Sequence, residues 1–286
     1  MLGIDFPSLQ QVFIVLMGTF IIKKLVKKLM QKDDKKVVIH KTDFKKDVVY
    51  LYQFHRSPVV PNLSPFCLKL ETWLRINDIK HEVVPSWMMR SKEGLLPFVE
   101  LNGEHIADSQ LILFKLSKHF NKEDKLSKEK LAVARAVDRM IEGSLLFTLT
   151  CFKVVKNTAK SIHPSVSGVP LPEFVTNLVA PLIHEQIKGR LIANGMYKHD
   201  EADIIEIMRR DLQAISDILG SNKFVMGDEP STVDCTVFGN LASCYYLPYD
   251  QPMKRLLQEE FTNVRDLLER IKSRFWSDWD SLIAKQ

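Results

Sequence analysis

Ser64-Pro65-Phe66-Cys67 sets a hydroxyl and a thiol three residues apart around a proline. Two cysteines in that spacing would cycle between dithiol and disulfide; with serine first there is one thiol, and dithiol exchange is disfavoured. A hydroxyl at the mouth of a helix has two uses. It accepts a free backbone N–H as a cap, or it donates to a thiolate and lowers that thiol's pKa. Cys67, three residues into the helix, gains some thiolate character from the dipole. It shares an apolar stripe with Leu70 and Leu74, however, and Glu71 opposes its ionisation, so it reads as buried and inert. Tyr52, in a β-rich run, reads first as core and second as a candidate hydroxyl. Asp108-Ser109 stands at the start of a later helix. Such a start offers free N–H groups and a positive dipole end to a carboxylate, unless the acid only caps its own helix. His55 and Arg56 are able to bind an anion but read first as solvated loop charges. The four cysteines, Cys67, Cys151, Cys235 and Cys244, form no C-x-x-C pair, and the histidines no metal-spaced cluster. Neither a disulfide framework nor a metal site is expected.

The elements that must position these residues follow a definite order. Val48 to Phe54 has the length and composition of a buried strand. After a loop with Pro58 and Pro61, Ser64 stands as N-cap and Pro65 at the first helical position, with apolar residues Cys67, Leu68, Leu70, Trp73, Leu74 and Ile76 behind them. Lys80 to Val84 reads as a second strand. Asn102-Gly103 between two short apolar runs signals a hairpin. Asp108 and Ser109 then cap a helix to about Phe120. Strand, helix, strand, hairpin, helix is a thioredoxin-like arrangement over 47–121. From 125 to 286 the chain reads as helices alone. Leu126 to Lys156 is one long candidate softened at Gly143, Asn157 to Pro172 a loop, Pro172 to Asn194 a helix with a kink expected at Pro181, and Asp200 to Leu219 a helix stopped by Gly220. Ser231 and Asp234 have capping-box spacing, a folding role.

The stretch LPFVELNGEHIADSQLI, 96–112, resembles the central signature of the glutathione transferase superfamily. The resemblance implies a cis Pro97, a Leu96 backbone that pairs with the peptide of glutathione, and Asp108 and Ser109 on its γ-glutamyl carboxylate. It places Ser64 where several classes keep a catalytic serine or cysteine, with Tyr52 near the tyrosine of others and Cys67 as a further alternative. The ten residues from Phe54 to Leu63 are a longer connection than usual there. FVMGDEPSTVDCTVFGNLA, 224–242, is similar to the helical domain of the same superfamily. NLSPFCLKLETWLRI, 62–76, and ERIKSRFWSDWD, 269–280, resemble the failed axon connections group, relatives of the metaxins, whose nematode members include cadmium-responsive proteins. The implied fold class is α/β plus all-α, a thioredoxin-like domain followed by an all-helical glutathione transferase-like domain.

Residues 1–36 differ from this body. Phe6 to Ile22 carries no charge, and 17 residues of helix rise about 25 Å against a hydrocarbon core of roughly 30 Å. Snorkelling lysines extend the apolar stretch over residues 6–29, which reads as a single membrane anchor. Seven lysines against two aspartates in 23–36 account for the whole net charge of +5. Lysines behind the span place the folded domains on the cytosolic side. The rest is balanced in charge and gives no basic face for nucleic acid.

Two functions are open at this point. One is a membrane-tethered, cytosol-facing transferase with glutathione as co-substrate, a hydrophobic electrophile entering between the domains, and a place in detoxification or cadmium stress. The other is a metaxin-like interaction protein that keeps the fold without the chemistry. A homodimer or a protein partner fits either.

Overall fold

A computed structural model of the chain describes residues 37–283, so the anchor expected at 6–29 lies outside the described residues. Among the described residues no helix is long and apolar enough to cross a membrane. From Ile39 on, the described residues form one compact unit that holds every element below.

Strand β1, Val49–Gln53, is buried along its whole length, as suits its apolar residues Val49 to Tyr52. It pairs in parallel with β2, His81–Pro85, and antiparallel with β3, Phe98–Leu101. β3 pairs antiparallel with β4, Glu104–Ala107, so the sheet order is β2-β1-β3-β4. Asn102 and Gly103 join β3 to β4 with φ of 51° and 79°. A two-residue type I′ turn requires both values positive, which Asn-Gly tolerates. Helix α1, Pro65–Ile76, follows β1, and α2, Ser109–His119, follows β4.

The helical part begins with α3, Lys128–Met140, capped by Ser127. It runs on through a π turn at Ile141–Leu145, α4, Leu146–Thr150, and a second π turn at Cys151–Val155. The softening expected at Gly143 takes the form of the first π turn. The stretch expected as a loop contains two short helices, α5, Thr158–Ile162, and α6, Pro164–Ser167. Its prolines misled the reading: Pro164 sits in the first turn of α6, where proline costs no hydrogen bond, and His163 Nδ1 accepts the Ser165 N–H at 3.2 Å. Helix α7, Glu173–Asn194, continues through Pro181. Helix α8, Glu201–Leu219, ends at Gly220. Then come α9, Thr232–Tyr245, α10, Pro252–Glu259, α11, Thr262–Phe275, and α12, Trp279–Ile283.

The two parts meet where α1 crosses α9. A Cβ on Gly239 would lie 2.6 Å from the Pro65 carbonyl oxygen and 2.7 Å from the Lys69 nitrogen, so only glycine allows this approach. Beside the crossing, buried Lys69 reaches Asp138 at 3.1 Å and Glu142 at 2.8 Å. Asp138 also accepts from Thr236 at 2.7 Å and from Gln110 at 2.6 Å. Burial alone would raise its pKa, but Lys69, Thr236 and Gln110 hold it below the usual carboxylate range. On the far side of α1, buried Glu71 accepts from Arg56, Arg75 and Gln53, and Arg75 continues to Asp278 at 2.7 Å.

Candidate functional site

Leu96, Pro97, Asp108 and Ser109 come together, with Phe66, around a cleft of about 100 Å³. The Leu96–Pro97 bond is cis. Asp108 is the N-cap of α2, and its Oδ1 accepts the N–H groups of Gln110 at 3.0 Å and Leu111 at 3.1 Å. It holds φ at 71°, a region that costs a non-glycine residue of order 1–3 kcal/mol and is concentrated at ligand sites. Ser109 is 7% exposed, and its hydroxyl makes no hydrogen bond to the described residues. One side chain of the pair is thus spent on the helix and the other is left available.

Ser64 lies next door. With Pro65 it lines a second, mostly apolar cavity of about 400 Å³, while Phe66 lines the first cleft, so the opening turn of α1 is the partition between them. Asn62 Oδ1 accepts the Ser64 N–H at 2.9 Å and fixes the turn. Ser64 Oγ accepts the Cys67 N–H at 3.4 Å. A hydroxyl that accepts still has its own proton to give, so capping does not exhaust Ser64.

The two alternatives are placed differently. Tyr52 is buried, stacked on Phe98 at 4.4 Å, and donates its hydroxyl to Glu100 at 3.0 Å. Burial and that carboxylate push its pKa up, and its one proton is committed. Cys67 is fully buried. Desolvation pushes its thiol up to about 12, against the weaker pull of Ser64 and the Phe54 backbone. Arg56, expected as a solvated loop charge, instead pairs with buried Glu71 at 2.6 Å. His55 stacks on Trp87 at 5.1 Å. Among the described residues no three His, Cys, Asp or Glu side chains gather as a metal site.

Sequence reading missed Lys153 and Asn240, which both line the larger cavity and are both buried. A signal existed in each case: a lone lysine inside Cys151-Phe152-Lys153-Val154-Val155, and a lone asparagine in the apolar run of α9.

The family models for the glutathione S-transferase N-terminal and C-terminal domains match residues 65–159 and 208–271. The chain belongs to the glutathione S-transferase superfamily. Failed axon connections and metaxin-2 are among the proteins it is similar to. It is 36% identical to failed axon connections of Drosophila melanogaster over 86% of its own length and 62% of the fly protein's. The alignment thus leaves more than a third of that relative unmatched. An isoprene-epoxide–glutathione S-transferase of Rhodococcus sp. is 27% identical over 80% of this chain and 99% of the bacterial one. Metaxin-2 of Mus musculus is 23% identical over 66% and 73%. A solved glutathione transferase of Phanerochaete chrysosporium superposes with a TM-score of 0.57 at 14% identity, covering 80% of this chain and 98% of the other, a likeness of fold.

Proposed function

We propose that this superfamily member binds glutathione in the small cleft and transfers it to an apolar electrophile held in the larger cavity. The observation that carries the proposal is the free Ser109 hydroxyl in one cleft with Asp108, Leu96 and cis Pro97, across the opening turn of α1 from Ser64 and an apolar chamber. In this reading the γ-glutamyl carboxylate takes the hydroxyl and the backbone N–H of Ser109, since Asp108 already holds the N–H groups of Gln110 and Leu111, and the Leu96 backbone takes the peptide. Ser64 donates its hydroxyl to the sulfur as the thiol gives its proton to water, favouring thiolate. The thiolate then forms a C–S bond with the electrophile. For an epoxide, as in the name of the bacterial relative, the C–O bond breaks and the oxygen takes a proton from water. Tyr52 and Cys67 have no part in it.

The proposal extends to the tether: residues 6–29 hold the protein on a membrane with its folded body in the cytosol. Its support is the uncharged run and the lysines behind it. Any connection to cadmium stress would run through glutathione, because burial raises the pKa of all four thiols.

A second reading, an interaction protein on an inherited fold, has its own observation. Phe174, Leu178 and Leu182 on α7 are 73%, 76% and 73% exposed, an apolar row of the kind that marks contact surfaces.

Calorimetry on the full chain separates the two. Glutathione should bind, Ser109→Ala should weaken binding, and Ser64→Gly should leave affinity nearly intact while cutting turnover by about 10²–10³. Gly caps nearly as well as Ser, so folding is preserved. No glutathione binding by the wild type would leave the scaffold reading.

A further inference from the structure

The larger cavity contains a cation that its own walls do not answer. Lys153, in the second π turn, is 8% exposed, and its Nζ meets the Leu63 carbonyl oxygen at 2.6 Å. No carboxylate pairs with it among the described residues, and no Asp or Glu lines the cavity. An ammonium has three protons to donate, so two are unused. A buried charge without a counter-charge is held at a cost, and desolvation accordingly pushes the Lys153 pKa down.

Lys153 Nζ makes no hydrogen bond to the nearby hydroxyls, whose own protons go to backbone carbonyls. Thr150 Oγ1 donates to the Leu146 carbonyl at 2.7 Å, Ser161 Oγ to that of Thr158 at 3.0 Å, and Ser243 Oγ to that of Asn240 at 3.0 Å. Asn240 donates its amide to the Thr236 carbonyl at 2.9 Å, yet its Oδ1 is buried with no partner at all. Buried acceptors are rarely left so. That oxygen is sealed from the chamber, which therefore sets one unanswered cation within an apolar shell that includes Leu146, Leu149 and Ile187.

We propose that the ligand of this cavity is an apolar carboxylic acid, its carboxylate on Lys153 Nζ and its chain along Leu146, Leu149 and Ile187. A single carboxylate matches the single ammonium, whereas a phosphate monoester would bring close to two negative charges into the same apolar shell. The inference rests on the transferase reading only in taking this chamber as the electrophile's place, and its test needs no glutathione.

Dodecanoate and 1-dodecanol are titrated separately into the full chain. The acid should bind the wild type more tightly than the alcohol. Lys153→Met should weaken the acid about ten- to a hundredfold, the loss of a charge-assisted hydrogen bond, and leave the alcohol nearly unchanged. Ile187→Trp, which narrows the chamber, should weaken both. Equal affinity of the wild type for acid and alcohol overturns the proposal even if Lys153→Met fails to fold. So does acid binding that survives Lys153→Met, or binding of both probes that survives Ile187→Trp. Acid binding in a protein that ignores glutathione would sink the transferase reading alone.

Discussion

Lys69 and Lys153 are both buried lysines beside the joint between the two parts of the fold, and their surroundings are opposite. Lys69 meets two carboxylates, Asp138 and Glu142, and those in turn meet Arg135 at 3.1 Å and Arg139 at 2.9 Å. Lys153 meets one carbonyl oxygen. The first arrangement is closed: each charge is answered by the protein, and the result is a fixed geometry between α1, α3 and α9. The second is open on the side of a cavity. A protein gains nothing in stability from an unpaired buried cation, so the difference separates a joint that holds the fold from a chamber that awaits something else.

Breaking the closed side should have the largest effect. Lys69→Met removes the shared cation and leaves two buried carboxylates. Such a loss typically costs about 3–5 kcal/mol, and the lower end is expected here because Arg135 and Arg139 remain. Lys153→Met should stay within about 1 kcal/mol of wild type, since losing the Leu63 hydrogen bond is offset by removing an uncompensated charge. Denaturant midpoints measure both. The comparison fails if the two variants lose equal stability. The pH profile adds a sign. Asp138 has a lowered folded pKa, so its contribution is complete above its unfolded value and lost as pH falls. Lys69→Met should flatten that acid limb, and Lys153→Met should not.

Gly239→Ala tests the joint through shape instead of charge. The added methyl would press on the Pro65 carbonyl and the Lys69 backbone, neither of which can rotate away. Overpacking of this kind costs about 1–3 kcal/mol, and contact with backbone argues for the upper end. Because Pro65 adjoins Ser64 in the partition between cleft and cavity, any surviving fold should also bind glutathione less well. A Gly239→Ala protein with an unchanged melting point would mean that the α1–α9 approach is looser than the described geometry.

How much of this was legible beforehand divides by sequence distance. The small cleft was legible because its parts are local: Leu96-Pro97 and Asp108-Ser109 lie on either side of one hairpin, and Asn102-Gly103 announces that hairpin. The N-cap at Ser64 was legible for the same reason. The joint was not. Nothing near Lys69 in the chain predicts Asp138, Glu142 or Thr236, which lie far along the sequence and meet it only through tertiary packing. Arg56 was misread on the same account, since its partner Glu71 becomes buried only when α1 packs. Lys153 and Asn240 were visible as polar exceptions in apolar runs. That their side chains line one chamber was not, because they sit on different helices.

A third buried charge sharpens the comparison by showing another way to satisfy one. Asp234 has no cation, yet its carboxylate accepts from the Val225 N–H, the Ser231 N–H and the Ser231 hydroxyl, each at 2.8 Å. Desolvation nevertheless outweighs these donors and raises its pKa to about 6, with Asp124 adding repulsion. A raised folded pKa means that the folded state binds more protons than the unfolded one between about pH 4 and pH 6. Stability from this group is therefore lost as pH rises through that window, on the scale of about 2 kcal/mol, opposite in sign to Asp138. Asp234→Asn cannot titrate. Subtracting its denaturation profile from that of the wild type should leave a difference that moves against the wild type from pH 4 to pH 6 and is flat above. If the wild type gains on the variant over that interval, the three donors have won and Asp234 is a fully settled anion. Its contrast with Lys153, which has one hydrogen-bond partner where Asp234 has three, would then be wider still.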